Sequence, residues 1–220
     1  MDPDSAPILL TLKVASLATL AAALLGIPLA RWIACSRHWL RDWIDALLML
    51  PMVLPPTMLG YYLIVVVGRN GPLGPWLENT FGVSLMFTWQ GAVVAATLVA
   101  LPLVYKAARA AFEEVAASYE QAARLLGSNE VELFFRVTLP VASRGIVAGL
   151  MLTFARAMGE FGATLMIAGN LPGKTQTLSI AIYDAVQGGQ EAHALFLVGI
   201  ISVLCIVVLL GSGRLLQARR

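Results

Sequence analysis

The sequence predicts an all-α polytopic membrane protein with five transmembrane helices, its N-terminus outside and its C-terminus inside. Three observations predict it: the composition, the length of five apolar stretches, and the uneven placement of basic residues. Hydrophobic residues make up 59% of the 220 and charged residues 13%, against about 45–50% and about 25% in soluble domains. Mean hydropathy is +0.79. A soluble domain of this length needs far more polar surface to cover its core. The balance therefore excludes a soluble enzyme, a disordered chain and a nucleic-acid-binding domain. The formal net charge of +2 says little by itself.

A bilayer-spanning helix needs about 20 mostly apolar residues. Stretches 8–30, 46–67, 85–105, 145–169 and 192–213 meet that requirement. The first carries only Lys13, which lies about 8 Å below the outer end and is expected to snorkel to the surface. The fourth carries Arg156 and Glu160, and the other three carry no Asp, Glu, Lys or Arg. A cleaved signal peptide is not expected, because Asp2 and Asp4 stand where a basic flank belongs and the apolar run is too long. Segment 177–186 contains Asp184 and is too short to span. It reads as a short helix at one surface or dipping into it.

Orientation follows from the basic residues. Arg31, Arg37 and Arg41 lie between spans one and two; Lys106, Arg109, Arg124, Arg136 and Arg144 lie between three and four; Arg214, Arg219 and Arg220 form the tail. Eleven of the 15 Lys and Arg thus fall on one side, and only Arg69 and Lys174 on the other. With the basic side cytoplasmic, five spans place the N-terminus outside and the C-terminus inside. Cys35 and Cys205 lie far apart with no metal-ligand spacing, and read as buried, inert thiols. His38 and His193 stand alone and are assigned no metal.

The second span contains Pro51, Pro55 and Pro56. Proline removes a backbone donor and clashes with the preceding turn, so a kink or a break is expected. Carbonyls freed inside lipid need partners, which turns a break toward protein or a wet cavity. A kink with no further role is the alternative. The Gly145–Gly149 pair and the glycines at 159 and 162 give the fourth span a small-residue face for close packing.

A cytoplasmic loop of about 106–144 joins spans three and four, long enough to be functional in its own right. Residues 112–126 are rich in helix formers and end at Gly127, a left-handed stop. Ser128 is placed to cap a second helix through 131–137, and Pro140 precedes the fourth span. Ala122 and Ala123 offer a nearly bare helix face on which another protein can pack. An amphipathic helix lying on lipid is the competing reading.

The motif decides between them. Gln121-Ala122-Ala123-Arg124-Leu125-Leu126-Gly127, followed by Phe135-Arg136-Val137-Thr138-Leu139-Pro140, resembles the EAA loop of ABC-importer permeases. Gln121 stands where that motif has Glu, and Glu120 lies one residue earlier. The resemblance implies the type I ABC-importer permease architecture. It also implies that Glu120, Gln121, Ala122, Ala123, Arg124 and Gly127 form a coupling helix seated in a cytoplasmic ATPase. A narrower resemblance runs through nearly the whole chain. LPMVLPPTMLGYYL, GRNGPLGPWLENTFG, FTWQGAVVAA and FARAMGEFGATLMIAGNLPGKTQTLSIAIY are similar to ModB-type molybdate permease subunits. That likeness implies a homodimer in the bacterial inner membrane, joined to two ABC ATPase subunits and an extracytoplasmic molybdate-binding protein. It implies no cofactor in this subunit, ATP and Mg being bound by the partner ATPase. Sulfate, thiosulfate and tungstate permeases are the alternatives within the class.

Residues 168–175, AGNLPGKT, fit a relaxed phosphate-loop pattern. A working phosphate loop needs a preceding strand and a following helix. This segment follows a membrane span and reads instead as a turn closing it. Arg156 and Glu160 require more explanation, since each intramembrane charge costs about 2.5–3.5 kcal/mol on insertion scales. At i,i+4 they share a helix face, with Arg156 about 16 Å deep when counted from Gly145. Two readings fit: a self-neutralising structural pair, or a pathway cation for a tetrahedral dianion whose guanidinium Glu160 holds. From other classes, a passive anion channel has no use for a docking loop, and a membrane anchor of an enzyme complex should carry cofactor ligands. No catalytic constellation is present in the sequence, so the reading is a transport subunit.

Overall fold

A computed structural model describes residues 5–36 and 39–217, with side chains through residue 211. Arg37, His38, Arg219, Arg220, Asp2, Asp4 and the Arg214 side chain lie outside that description. The first helix, α1 (Ser5–Cys35), is longer than expected at both ends. Its buried residues Val14, Ala15, Ala18, Ala22, Gly26, Ala30 and Ile33 recur every three or four positions. They form a seam of mostly small side chains along α5 (Trp89–Glu113), which answers with Ala92, Ala95, Ala96, Ala100 and Ala108. Small residues let the two backbones approach closely, the source of helix affinity where lipid removes the hydrophobic drive.

The second span is broken. α2 (Arg41–Val53) and α3 (Pro56–Val67) meet at 112° across Leu54 and Pro55. Pro55 and Pro56 lack the N–H groups that would continue the ladder, and Pro56 opens α3, where a missing donor costs nothing. The loop beyond α3 contains α4 (Gly74–Phe81), which stops at Gly82 with φ 65°.

Two boundaries in the second half of the chain differ from expectation. The helix expected across 112–126 is interrupted: α5 ends at Glu113 and α6 covers Ala117–Leu125. The expected fourth span, 145–169, is not one helix. Helical backbone runs from α7 (Glu130–Leu133) through a π-helical turn (Phe134–Thr138) into α8 (Leu139–Met158). It breaks at Gly159–Phe161 and resumes as α9 (Gly162–Ala168). The π turn precedes Pro140, and its wider i→i−5 bond from Leu139 N–H to the Phe134 carbonyl is the ladder's adjustment there. Arg156 sits in the last turn of α8, at this break.

α10 (Leu178–Gln187) is the short helix expected over 177–186, and α11 (Glu191–Gln217) is the last span. α1, α5, α8 and α11 are each long and apolar enough to cross a membrane, and the α2–α3 pair makes a fifth if it is one broken span. The small face at 145–149 serves close packing as expected. A Cβ on Gly149 would lie 2.4 Å from that of Ala107, and one on Gly145 would lie 2.7 Å from that of Ala111. Cys35 is exposed and Cys205 half-buried, contrary to the buried thiols expected. Lys13 is exposed with its ammonium 3.5 Å from the centre of the Trp89 ring.

Candidate functional site: a docking helix and a charged helix break

α6 ends at its own stop signal. Ser128 N–H bonds the Ala123 carbonyl and Gly127 N–H that of Arg124, a Schellman closure with Gly127 at φ 87°. The following cap is Asn129, not Ser128: its side chain accepts the Glu132 N–H at 2.8 Å.

Glu120 ties α6 to the membrane bundle. Its Oε1 accepts from Arg31 Nη2 of α1 at 3.0 Å and from Thr138 Oγ1 of the π turn at 2.9 Å. Arg124 stands 3.6 Å from Oε2 and pairs with Glu130 at 2.7 Å. The hydrogen bond to Glu130 holds the Arg124 guanidinium above its ordinary pKa. Thus Glu120 carries a helix-to-helix tether, whereas Gln121, at the motif position, is exposed.

The two alanines separate. Ala123 is buried against the chain itself, and Ala122 faces outward. Of the bare face expected from both alanines, only Ala122 is exposed. Leu125 and Leu126 are 90% and 87% exposed, and Tyr119, Val131 and Phe135 are also exposed. Exposed apolar side chains on and just beyond α6 make this a candidate contact surface. Leu125, Leu126 and Phe135 stand inside the EAA-like motif, and the two consecutive leucines before a helix-stopping glycine are its visible sign of an exposed apolar turn.

A second ion network clamps α2 to the end of α5. Asp45 accepts from Tyr105 Oη at 2.8 Å, Lys106 Nζ at 2.7 Å and Arg109 Nη1 at 2.5 Å. Glu113 accepts from Arg109 and from Arg41. Only the Arg109–Glu113 pair, at i,i+4, was visible as a sequence spacing.

At the break in the fourth span, the structure brings Arg156 and Glu160 together. Arg156 Nη2 lies 2.9 Å from Glu160 Oε2, an ion pair without an aligned hydrogen bond. Glu160 Oε1 accepts the Ala163 N–H at 3.0 Å and so caps α9. The Glu160 side chain is 2% exposed and that of Arg156 is 37% exposed. One carboxylate thus does two structural jobs while the guanidinium keeps an open side. The break lies directly against the other one, since a Cβ on Gly162 would come within 2.9 Å of Pro56 Cβ.

Residues 168–175 form a closed turn. Lys174 and Thr175 N–H both reach the Leu171 carbonyl, and Thr175 Oγ1 accepts from Leu171 N–H. Its amides bond within the loop instead of converging outward on a phosphate.

The family described as the binding-protein-dependent transport system inner membrane component matches residues 22–220. The chain belongs to that family. The molybdenum transport system permease protein ModB of Escherichia coli (strain K12) is 43% identical over 195 residues, 88% of this chain and 85% of that protein. Its counterpart in Azotobacter vinelandii is 39% identical over 216 residues, covering 97% and 96%. The permease also shares its fold with a chain of the inward-facing MetNI methionine ABC transporter, at a TM-score of 0.75 and 19% identity over 96% and 94% of the two chains. It is a multi-pass membrane transport subunit, not an enzyme.

Proposed function

We propose that this permease is the membrane-spanning subunit of an ATP-driven importer of molybdate. The observation that carries the reading is 43% identity to a molybdenum permease across nearly all of both chains. Two copies would enclose the pathway in the bacterial inner membrane, N-termini outside and C-termini inside. An extracytoplasmic binding protein would deliver molybdate, and two cytoplasmic ATPases, holding the ATP and Mg, would engage α6.

The apolar patch of Leu125, Leu126 and Phe135 is the contact offered to the ATPase. When ATP binding draws the ATPases together, the pull on α6 reaches α1 and α8 through Glu120, Arg31 and Thr138. Arg156 supplies the pathway with a positive group, and Glu160 positions it while capping α9. Broken helices at membrane depth are tolerated where they line protein or water, which supports placing both breaks on the pathway. The test is ATP-dependent uptake of labelled molybdate into vesicles containing the full complex. Uptake of sulfate without molybdate would sink the assignment of the ion, and uptake without ATP would sink the importer.

A further inference from the structure

We infer an oxyanion entry site at the outer end of α3, built around Arg69 and resting on the importer reading above. Arg69 makes no ion pair or hydrogen bond among the described residues, and it is exposed. It lines a cavity of about 600 Å³ together with Asn70, Ser84, Ile64, Val65 and Phe87. The polar groups available there are a guanidinium, an amide and a hydroxyl, all able to donate to an oxyanion. Glu78 lines the adjoining cleft but forms no ion pair with Arg69.

The turn that presents Arg69 is rigid. Gly71 N–H bonds the Gly68 carbonyl and Leu73 N–H the Val66 carbonyl. A Cβ on Gly71 would lie 2.5 Å from two carbonyl oxygens, and one on Gly74 would lie 1.9 Å from the Gly68 oxygen. Only glycine fits at either place, which sets the backbone path that carries Arg69 and Asn70.

The opposite wall is strained. Phe87 sits at φ 58°, a backbone region costly for a bulky residue. It is held there by its N–H on the Ile167 carbonyl, with its ring against Gly169. The cavity is thereby fastened to the far end of α9, whose near end Glu160 caps.

α3 starts at Pro56, which packs against Gly162 beside the break that holds Glu160, and ends beside Arg69. Its 12 residues measure about 18 Å at ~1.5 Å per residue. Arg69 thus stands at the outer end of α3, and the partly exposed Arg156, paired with Glu160, stands by the break at its inner end. Conduction through successive sites requires each to bind weakly enough to release. An exposed, singly charged outer site meets that condition, receiving the dianion before it reaches Arg156.

The experiment uses the full complex in vesicles with saturating loaded binding protein. It measures molybdate taken up per ATP hydrolysed, and the binding-protein concentration giving half-maximal ATPase stimulation. Arg69→Gln should lower uptake per ATP about fivefold, as expected for loss of one exposed charge contact, with half-maximal stimulation unchanged. Arg69→Lys should retain most of the uptake, and high salt should narrow the gap between wild type and Arg69→Gln. Unchanged uptake per ATP in Arg69→Gln would overturn the inference alone. So would a loss confined to the half-maximal binding-protein concentration, which would make Arg69 a docking contact. A wild-type complex that takes up no molybdate would defeat the importer reading, and this inference with it.

Discussion

Replacing Glu120 by alanine tests whether α6 is mechanically tied to the bundle. The substitution leaves Arg31 without its 3.0 Å partner and Thr138 without its 2.9 Å acceptor. Hydrogen bonds to charged groups contribute about 1.5–3 kcal/mol each. The side chains of Glu120 and Arg31 remain 17% and 21% exposed, so water recovers part of that. A net loss of about 2 kcal/mol follows, or about 30-fold in the equilibrium between tethered and released α6. Glu120→Gln keeps an acceptor for Thr138 but removes the charge, and should lose about half that free energy. Hydrogen exchange of amides 117–126 in the bilayer-embedded permease reads the tether directly. Uptake per ATP in the complex reads its consequence. Protection in Glu120→Ala within about twofold of wild type, where the estimate requires about 30-fold, would refute the tether and the coupling route drawn through it.

Four further outcomes are expected. Cysteine labelling from outside intact cells should mark positions 69–84 and spare 113–132; the reverse pattern would invert the topology. Leu125→Glu with Leu126→Glu should leave the permease inserted yet abolish copurification of the ATPase, because both side chains are almost fully exposed; retained copurification would move the contact elsewhere. Gly149→Val should overfill the α5–α8 contact at Ala107 and destabilise the permease by about 1–3 kcal/mol, read as a lowered melting temperature in detergent. Arg156→Met with Glu160→Gln leaves no unpaired charge, so the double variant should insert and assemble but fail to transport; near-normal uptake would leave Arg156 a structural residue.

Much of the architecture was legible because lipid allows few solutions. Apolar runs of spanning length and the prolines at 51, 55 and 56 pointed to helices and to a break, since backbone groups in hydrocarbon must be satisfied within the helix or against protein. Gly127 announced the end of α6 because a left-handed residue there costs glycine nothing. The second break, at Gly159–Phe161, was not legible. Gly159 is small and Phe161 apolar, and Glu160 read as an i,i+4 partner of Arg156, which it is, while its second role as the cap of the next helix left no mark in the spacing.

The site divides the same way. Sequence alone placed the EAA-like segment and the Arg156–Glu160 pair, because charge and small-residue spacing are local properties of a chain; it assigned Arg69 only to a side of the membrane. Which alanine faces inward, that Glu120 reaches Arg31 across 89 positions, and that Asp45 gathers three donors from α5 were decided only by packing. Long-range partners depend on how the α1–α5 and α5–α8 seams set each helix's rotation. A seam of alanine and glycine fixes that rotation through contact distances of a few ångströms, which no residue spacing along the chain expresses.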